Sequence, residues 1–223
     1  MMATLLIRLA APLQSWGSDS QFDTRRTQSI PTKSGVVGLL AAALGRKRNE
    51  SLHDLNALKM GVRVDQPGSM LVDFHTARRD KTSYISRRHY LSDAIFVVGL
   101  QSEDETLLNN LKYALQHPVY PLFLGRRSCP PTLPIVLETS AEELVQAIKV
   151  VPWQVPEWKR RKQKTCFKAS IYCDDEQGIL NMTKALSFNP EYRQYTYQGT
   201  KLCDWVELGK QADTEHDAME EVR

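Results

Sequence analysis

Three separated segments of the sequence hold the residue types that bind phosphate and stack on bases. The first is Leu9-Ala-Ala-Pro-Leu-Gln-Ser-Trp-Gly17, followed by Arg25, Arg26 and Pro31-Thr-Lys-Ser-Gly35. A helix starting there, capped by Thr32 or Ser34, would present free backbone N–H groups and a partial positive charge. With Lys33 and Ser34 beside it, that end is a ready phosphate site. It is not a nucleoside-triphosphate loop, because the G-x-x-x-x-G-K-[ST] spacing is missing. Trp16 could stack on a base and Gln14 could read a base edge. Their structural alternatives are a partly buried core ring and a satisfied turn.

The second segment carries Arg78, Arg79, Lys81, Tyr84, Arg87, Arg88 and Tyr90. Cations interleaved with aromatics suit a single nucleic-acid strand, guanidinium groups holding phosphates while rings stack on bases. The third is Tyr120-Pro-Leu-Phe-Leu-Gly-Arg-Arg-Ser-Cys-Pro130. A glycine ahead of Arg126 and Arg127 lets backbone and side chains approach a phosphate together.

The elements that must position these segments follow from periodicity. Thr4 to Ala10 alternates as a strand, with Leu5, Ile7 and Leu9 on one face. A helix follows to about Leu44 and stops at Gly45, with a small face of Gly35, Gly38 and Ala42. A strand region lies within Gly61 to Thr76, broken at Pro67-Gly68, and a buried strand spans Ala94 to Leu100. Ser102 with Glu105 reads as a capping box for a helix with Leu108, Leu111 and Leu115 on one face. Val119 to Leu124 is apolar and contains a proline, so an edge or irregular strand is expected. Ser140 with Glu143 forms a second capping box, and Pro152 to Pro156 reads as a linker. Thr165 to Cys173 and Tyr192 to Gln198 alternate as strands of a smaller C-terminal lobe, and the chain beyond Gly209 has little to bury. The order strand, helix, strand, basic insertion, strand, helix, strand predicts an α+β class with a ferredoxin-like (RRM-like) domain.

Composition excludes several classes. With 223 residues, 42% hydrophobic and 25% charged, the chain can bury one core, or a core and a smaller lobe. The longest apolar stretches, Gly35 to Gly45 and Ala94 to Leu100, are too short to cross a bilayer, and the expected location is cytoplasmic. Cys129, Cys166, Cys173 and Cys203 lack metal-ligand spacing and read as reduced, buried filler; no metal, cofactor or disulfide is expected. The chain carries +3 overall, but the tail from Glu207 is net −4, leaving +7 on residues 1–206. Arg25-Arg26, Arg78 to Arg88, Arg126-Arg127 and Lys159 to Lys164 hold much of that charge, which points to a polyanion.

Together the three segments resemble the CasD family, the small RAMP-superfamily subunit of the type I-E CRISPR complex called Cascade. The likeness rests on Ile7-Arg-Leu-Ala-Ala-Pro-Leu-Gln-Ser-Trp-Gly17, Pro31-Thr-Lys-Ser-Gly-Val-Val-Gly-Leu-Leu40 and Leu124-Gly-Arg-Arg-Ser-Cys-Pro130, in that order. The resemblance implies a ferredoxin-like domain over residues 1–137 with a protruding β-hairpin thumb at about 77–90. A smaller β-rich lobe with the acidic tail then covers 138–223. It also implies a non-catalytic subunit that grips the repeat-derived 5′ handle of the guide RNA. The complex's last backbone subunit and its large subunit are the implied partners, and target DNA is met through the assembly. Gln14, Trp16, Arg25, Lys33, Ser34, Arg126 and Arg127 match motif positions near the handle; Arg26, Arg78, Arg79, Arg87, Arg88 and Tyr90 join them as expected RNA contacts.

A related subunit of type I-C systems is itself the repeat-RNA endonuclease, which sets the alternative. Metal-independent cleavage needs a general base, a general acid and a cation at the phosphorane. His75, His89 or His117 with Tyr84, Tyr90 or Lys81 are the groups that could supply them.

Overall fold

The computed structural model describes residues 2–17, 23–79, 82–163 and 165–209, the side chains of Arg79 and Thr82 excepted. Its first half runs β1 (Ala3–Ala10), β2 (Leu13–Gln14), β3 (Thr24–Arg25), α1 (Lys33–Ala43), α2 (His53–Ala57), β4 (Lys59–Gln66), β5 (Ser69–Arg79) and β6 (Thr82–Ser92). There follow β7 (Ile95–Ser102), α3 (Glu105–Gln116), β8 (Val136–Ser140), α4 (Leu144–Val150), α5 (Glu157–Arg160), β9 (Phe167–Ser187) and β10 (Gln194–Leu208). This is the mixed helix and strand class that periodicity predicts. Among the described residues no helix is long and apolar enough to cross a membrane.

The main sheet has six strands in the order β10-β9-β4-β7-β1-β8, each neighbouring pair antiparallel. Its central strands are apolar on both faces because both faces are covered. Leu5, Ile7, Leu9, Phe96, Val98 and Leu100 meet Leu40, Leu108 and Leu111 of α1 and α3 on one side. Leu6, Val97 and Ile171 meet Leu144, Ala147 and Ile148 of α4 on the other. Gly61 and Gly99 are cross-strand partners under α4. A Cβ at Gly61 would stand 2.7 Å from Ile148 Cδ1, and one at Gly99 2.8 Å from Leu144 Cδ1, so this glycine pair lets α4 settle onto the sheet.

Several expectations are corrected in detail. Thr32 does cap α1, accepting from the Gly35 N–H, but Asp104 rather than Ser102 caps α3, accepting from the Leu107 N–H. Ser102 Oγ instead accepts from the Asp104 N–H. Glu143 begins α4 without a side-chain cap, and Ser140 Oγ accepts from the Glu142 N–H. Val119 to Leu124 is no strand: the Val119 and Tyr120 N–H groups donate to the Ala43 and Ala42 carbonyls, closing the last turn of α1. The strands expected of a C-terminal lobe extend the main sheet, because Gly61 to Arg63 of β4 pair with Cys173 to Ile171 of β9. The acidic tail lies outside the described residues. All four cysteines are free, but only Cys129 and Cys173 are buried. Burial, and then the neighbouring Cys203 thiol, push Cys173 up to about 12, which leaves it unreactive.

One buried cation organises the far face of the sheet. Arg63 and Asp65 are both fully enclosed, joined through Nε to Oδ1 at 2.6 Å and Nη2 to Oδ2 at 3.0 Å. Arg63 Nη1 also donates to the Ile148 and Val151 carbonyls, each at 2.7 Å, capping α4, and Nη2 to the Pro152 carbonyl at 3.2 Å. Asp65 accepts from the Gln154 N–H at 2.7 Å, so the expected linker is pinned rather than loose. Arg63→Ala would leave a buried carboxylate and the α4 carbonyls without donors, a loss of about 3–5 kcal/mol. Urea unfolding is expected to show it as a lower midpoint. Arg63→Lys should recover only part, since an ammonium offers three donors against the five of a guanidinium.

Candidate nucleic-acid interface

Residues from all three motifs meet at one joint. Trp16 is fully buried, its indole N–H donating to Gln14 Oε1 at 3.1 Å, while Gln14 Nε2 donates to the Ala94 carbonyl at 2.6 Å. The ring lies on the first turn of α1, where a Cβ at Gly35 would come within 2.7 Å of Trp16 Cε3. Next to it the Ser15 N–H donates to the Leu124 carbonyl at 3.1 Å, and Ser15 Oγ to the His89 carbonyl of β6 at 3.2 Å. Gly125 takes φ +82° at this contact, and a Cβ there would fall 1.6 Å from the Ser15 carbonyl oxygen. The turn is closed by Leu124 N–H to the Cys129 carbonyl and Cys129 N–H to the Arg126 carbonyl.

Gln14, Trp16 and Lys33, expected as RNA contacts, thus turn inward and build the frame. Lys33 Nζ donates to the Leu58 carbonyl and to Asp174 Oδ2 at 2.7 Å, tying α1 to β9. Burial lowers its pKa, and Asp174 offsets part of that. Ser34 is half-buried. The cation the sequence places for phosphate at this helix end is consumed by a carboxylate 141 residues away, a partner that periodicity does not reveal.

The arginines behave differently. Arg25 and Arg26 are exposed, and β3 pairs in parallel with β6, setting Arg25 opposite Arg88 and Thr24 opposite Arg87. Arg126 Nη2 donates to the Arg25 carbonyl at 2.9 Å, and its guanidinium lies 4.6 Å from the centre of the Tyr90 ring. Tyr90 is only 4% exposed, so it is a platform for Arg126 and not a free face for a base. Burial raises the Tyr90 phenol, but Ser128 and Arg126 beside it more than compensate, and it sits below its ordinary value. Asp73, across the ladder from Arg88, is engaged by His75 Nδ1 at 2.7 Å. Two guanidinium nitrogens, Arg88 Nε and Arg126 Nη1, are buried with no hydrogen-bond partner among the described residues. Arg127 is exposed on the turn.

The β5–β6 hairpin begins at Ser69↔Ser92 and reaches Arg79↔Thr82, so it starts eight residues before the insertion read from the sequence. Its pleat sends Arg88 and Tyr90 to one face and Arg87 to the other, with Arg78 and Phe74. Arg87 stands 5.8 Å from the Phe74 ring centre. Phe74 is 63% exposed, and the sequence does not single it out because it follows the apolar Met70-Leu-Val72 and reads as one more strand residue. Tyr84 is also exposed. Lys81 and the side chain of Arg79 lie outside the described residues. His75 and His89 occupy ladder rows of opposite face, and His117 sits at the end of α3, its ring stacked on Tyr113.

Comparison with known proteins bears on this arrangement. The family model described as "CRISPR-associated protein (Cas_Cas5)" matches residues 4–198. The chain is similar to the Escherichia coli (strain K12) protein "CRISPR system Cascade subunit CasD", 37% identical over 161 residues, which is 62% of this chain and 72% of that protein. Among solved structures it resembles "Crystal structure of Cas protein", with 39% identity, TM-score 0.69 and coverage of 93% of this chain and 96% of the other. It also resembles a chain of "CRISPR RNA-guided surveillance complex", with 29% identity, TM-score 0.78 and coverage of 98% and 99%.

The joint makes its own prediction. Gly125→Ala adds a Cβ onto a backbone oxygen and forces a side chain into the left-handed region, a strain of at least about 1–2 kcal/mol. Its melting temperature should fall by several degrees, whereas exposed Arg127→Ala should leave it unmoved. Equal melting of the two variants would refute the close approach.

Proposed function

This chain belongs to the CRISPR-associated Cas5 family, and we propose that it is the non-catalytic RNA-binding subunit of a type I-E Cascade surveillance complex. It grips the repeat-derived 5′ handle of the guide RNA and helps assemble the complex for antiviral DNA targeting. The observation that carries this reading is the cluster of Arg25, Arg88 and Arg126. None of the three pairs with a carboxylate among the described residues. Two donors there are withdrawn from water with no acceptor among the described residues. A phosphodiester would supply the missing acceptors through charge-assisted hydrogen bonds.

The finer reading of the fold belongs with this role. Strands β1, β4, β7 and β8 with α1 and α3 make a β-α-β-β-α-β unit whose order in the sheet is β4-β7-β1-β8. We read it as ferredoxin-like, and the β5–β6 hairpin as the thumb. Residues 1–137 then form the RNA-gripping domain and 138–223 the smaller unit added to its sheet. On the thumb, Arg88 with Arg126 and Tyr84 would hold one stretch of the handle, and Arg87 with Arg78 and Phe74 another on the opposite face. The neighbours are the last backbone subunit and the large subunit of the complex. The endonuclease alternative needs a histidine beside Tyr84, Tyr90 or Lys81; the ladder puts His75 on the face of Tyr84 and Tyr90 and His89 on the other, so His75 is the histidine that alternative would have to use.

If Arg87 and Arg88 each hold a handle phosphate, each substitution by Ala should lower the log–log salt slope by about 0.7, and the pair by about twice that. Fluorescence anisotropy on handle RNA across a salt series measures it; an unchanged slope removes the thumb from the site. Repeat RNA incubated with the protein and a chelator should stay intact. Site-specific cleavage that His75→Ala, His89→Ala or His117→Ala abolishes would establish the endonuclease instead.

A further inference from the structure

The run Trp158-Lys-Arg-Arg-Lys162 takes no part in the arginine cluster, yet it is held firmly in place. Before it, Val155 is buried with Ala10 and Ile95, and Trp153 Nε1 donates to the Asp65 carbonyl at 3.0 Å. After it, the Phe167 ring stacks on Trp153 at 5.6 Å with planes 5° apart. Between these anchors the chain makes a polar excursion whose one large apolar group, Trp158, is 62% exposed. Lys162 Nζ lies 5.4 Å from its ring centre.

The charges here are also left open. Glu157 is taken by Arg161 at 2.5 Å, while Lys159, Arg160 and Lys162 have no ion pair among the described residues. Beside Trp158 runs a groove of about 270 Å³ lined by Arg8, Pro12, Gln66, Asp93, Trp158 and Lys159. Arg8 is half-buried, with Nη1 on Thr132 Oγ1 at 3.4 Å; Asp65 acts on it electrostatically, but no carboxylate among the described residues is bonded to it. Asp93 is the acid facing the groove, and a carboxylate there suits the exocyclic amine of a base, not a phosphate.

We propose that this groove and the cationic segment beside it form a second nucleic-acid site. It takes an unpaired strand, one base against Trp158 and successive phosphates along Arg8, Lys159, Arg160 and Lys162. An aromatic face flanked by unpaired cations binds single strands through stacking and counterion release, independent of sequence. The strand comes either from the guide RNA or from the opened target DNA, which share this chemistry.

The test uses the full chain carrying Arg88→Ala and Arg126→Ala as a common background, so that these two guanidiniums of the first cluster are absent from every comparison, with labelled oligo-dT20 and oligo-rU20 as probes. Lys159→Ala with Arg160→Ala and Lys162→Ala should lower the salt slope by about 2. Trp158→Ala should weaken binding about tenfold at an unchanged slope, and Trp158→Phe should restore most of it. Unchanged slope and affinity, or Trp158→Phe as weak as Trp158→Ala, overturns the site. The first cluster is judged separately, by what its own two substitutions do to handle RNA. In the reconstituted complex, a photoreactive benzoylphenylalanine at 158 should crosslink to the guide RNA or to target DNA, which assigns the source. Crosslinks to protein alone overturn the proposal.

Discussion

Where Gly125 passes the Ser15 carbonyl there is no room for a side chain of any kind. That approach fixes the 124–129 turn against the segment after β1, and much of the interface depends on it. Ser15 also holds β6 through the His89 carbonyl, and its neighbour Trp16 occupies the space that Gly35 leaves on α1. Two glycines, one hydroxyl and one indole thereby bring three distant segments into a single joint. Arg126 projects from that turn onto Tyr90 of β6 and reaches the Arg25 carbonyl of β3. Its position is inherited from backbone contacts, not from any attraction between the arginines, which repel one another.

Buried charge separates scaffold from interface in this protein. Arg63 faces Asp65 and four α4-to-linker carbonyls, and Lys33 faces Asp174 and the Leu58 carbonyl. Both cations are deep, and both are answered by carboxylates within the chain. Arg88 and Arg126 are shallower and keep unanswered donors. An unsatisfied buried donor costs about 1–3 kcal/mol. Such a cost persists where a ligand removes it, and an anion is the ligand a guanidinium removes it with.

The sequence foretold the elements better than the directions of its side chains. Thr4 to Ala10, the helix ending at Gly45 and the Ala94 strand are legible because their apolar period is set by local geometry. Lys33 looks like a phosphate ligand from its place at a helix entry, but Asp174, far along the chain, claims it. Trp16 looks the same whether it faces a base or Gly35. The hairpin's start is hidden in the sequence because its first rows, Met70 to Phe74, are exposed on both sides and give no core-facing alternation. Strands β9 and β10 carry repeated register shifts, and each bulge reverses the pattern that would betray their length.

The hairpin's own supports vary along its length. Near its base Leu91 and Ser92 pair with β2, and at Arg87 and Arg88 a parallel strand, β3, reinforces it. Beyond that, Thr82 to Ser86 pair with β5 among the described residues. A two-stranded ribbon is marginal in water by itself. The base rows are therefore preorganised, and contacts at Arg88 and Arg126 are made with little ordering cost. On the proposed reading, the outer rows, with Tyr84, Ile85 and Arg78, would gain further order from the strand they touch, part of the binding energy going to ordering them. Under the proposed function such a gradient would let the base select the ligand's geometry while the tip adapts to it, a division suited to gripping one end of a flexible strand.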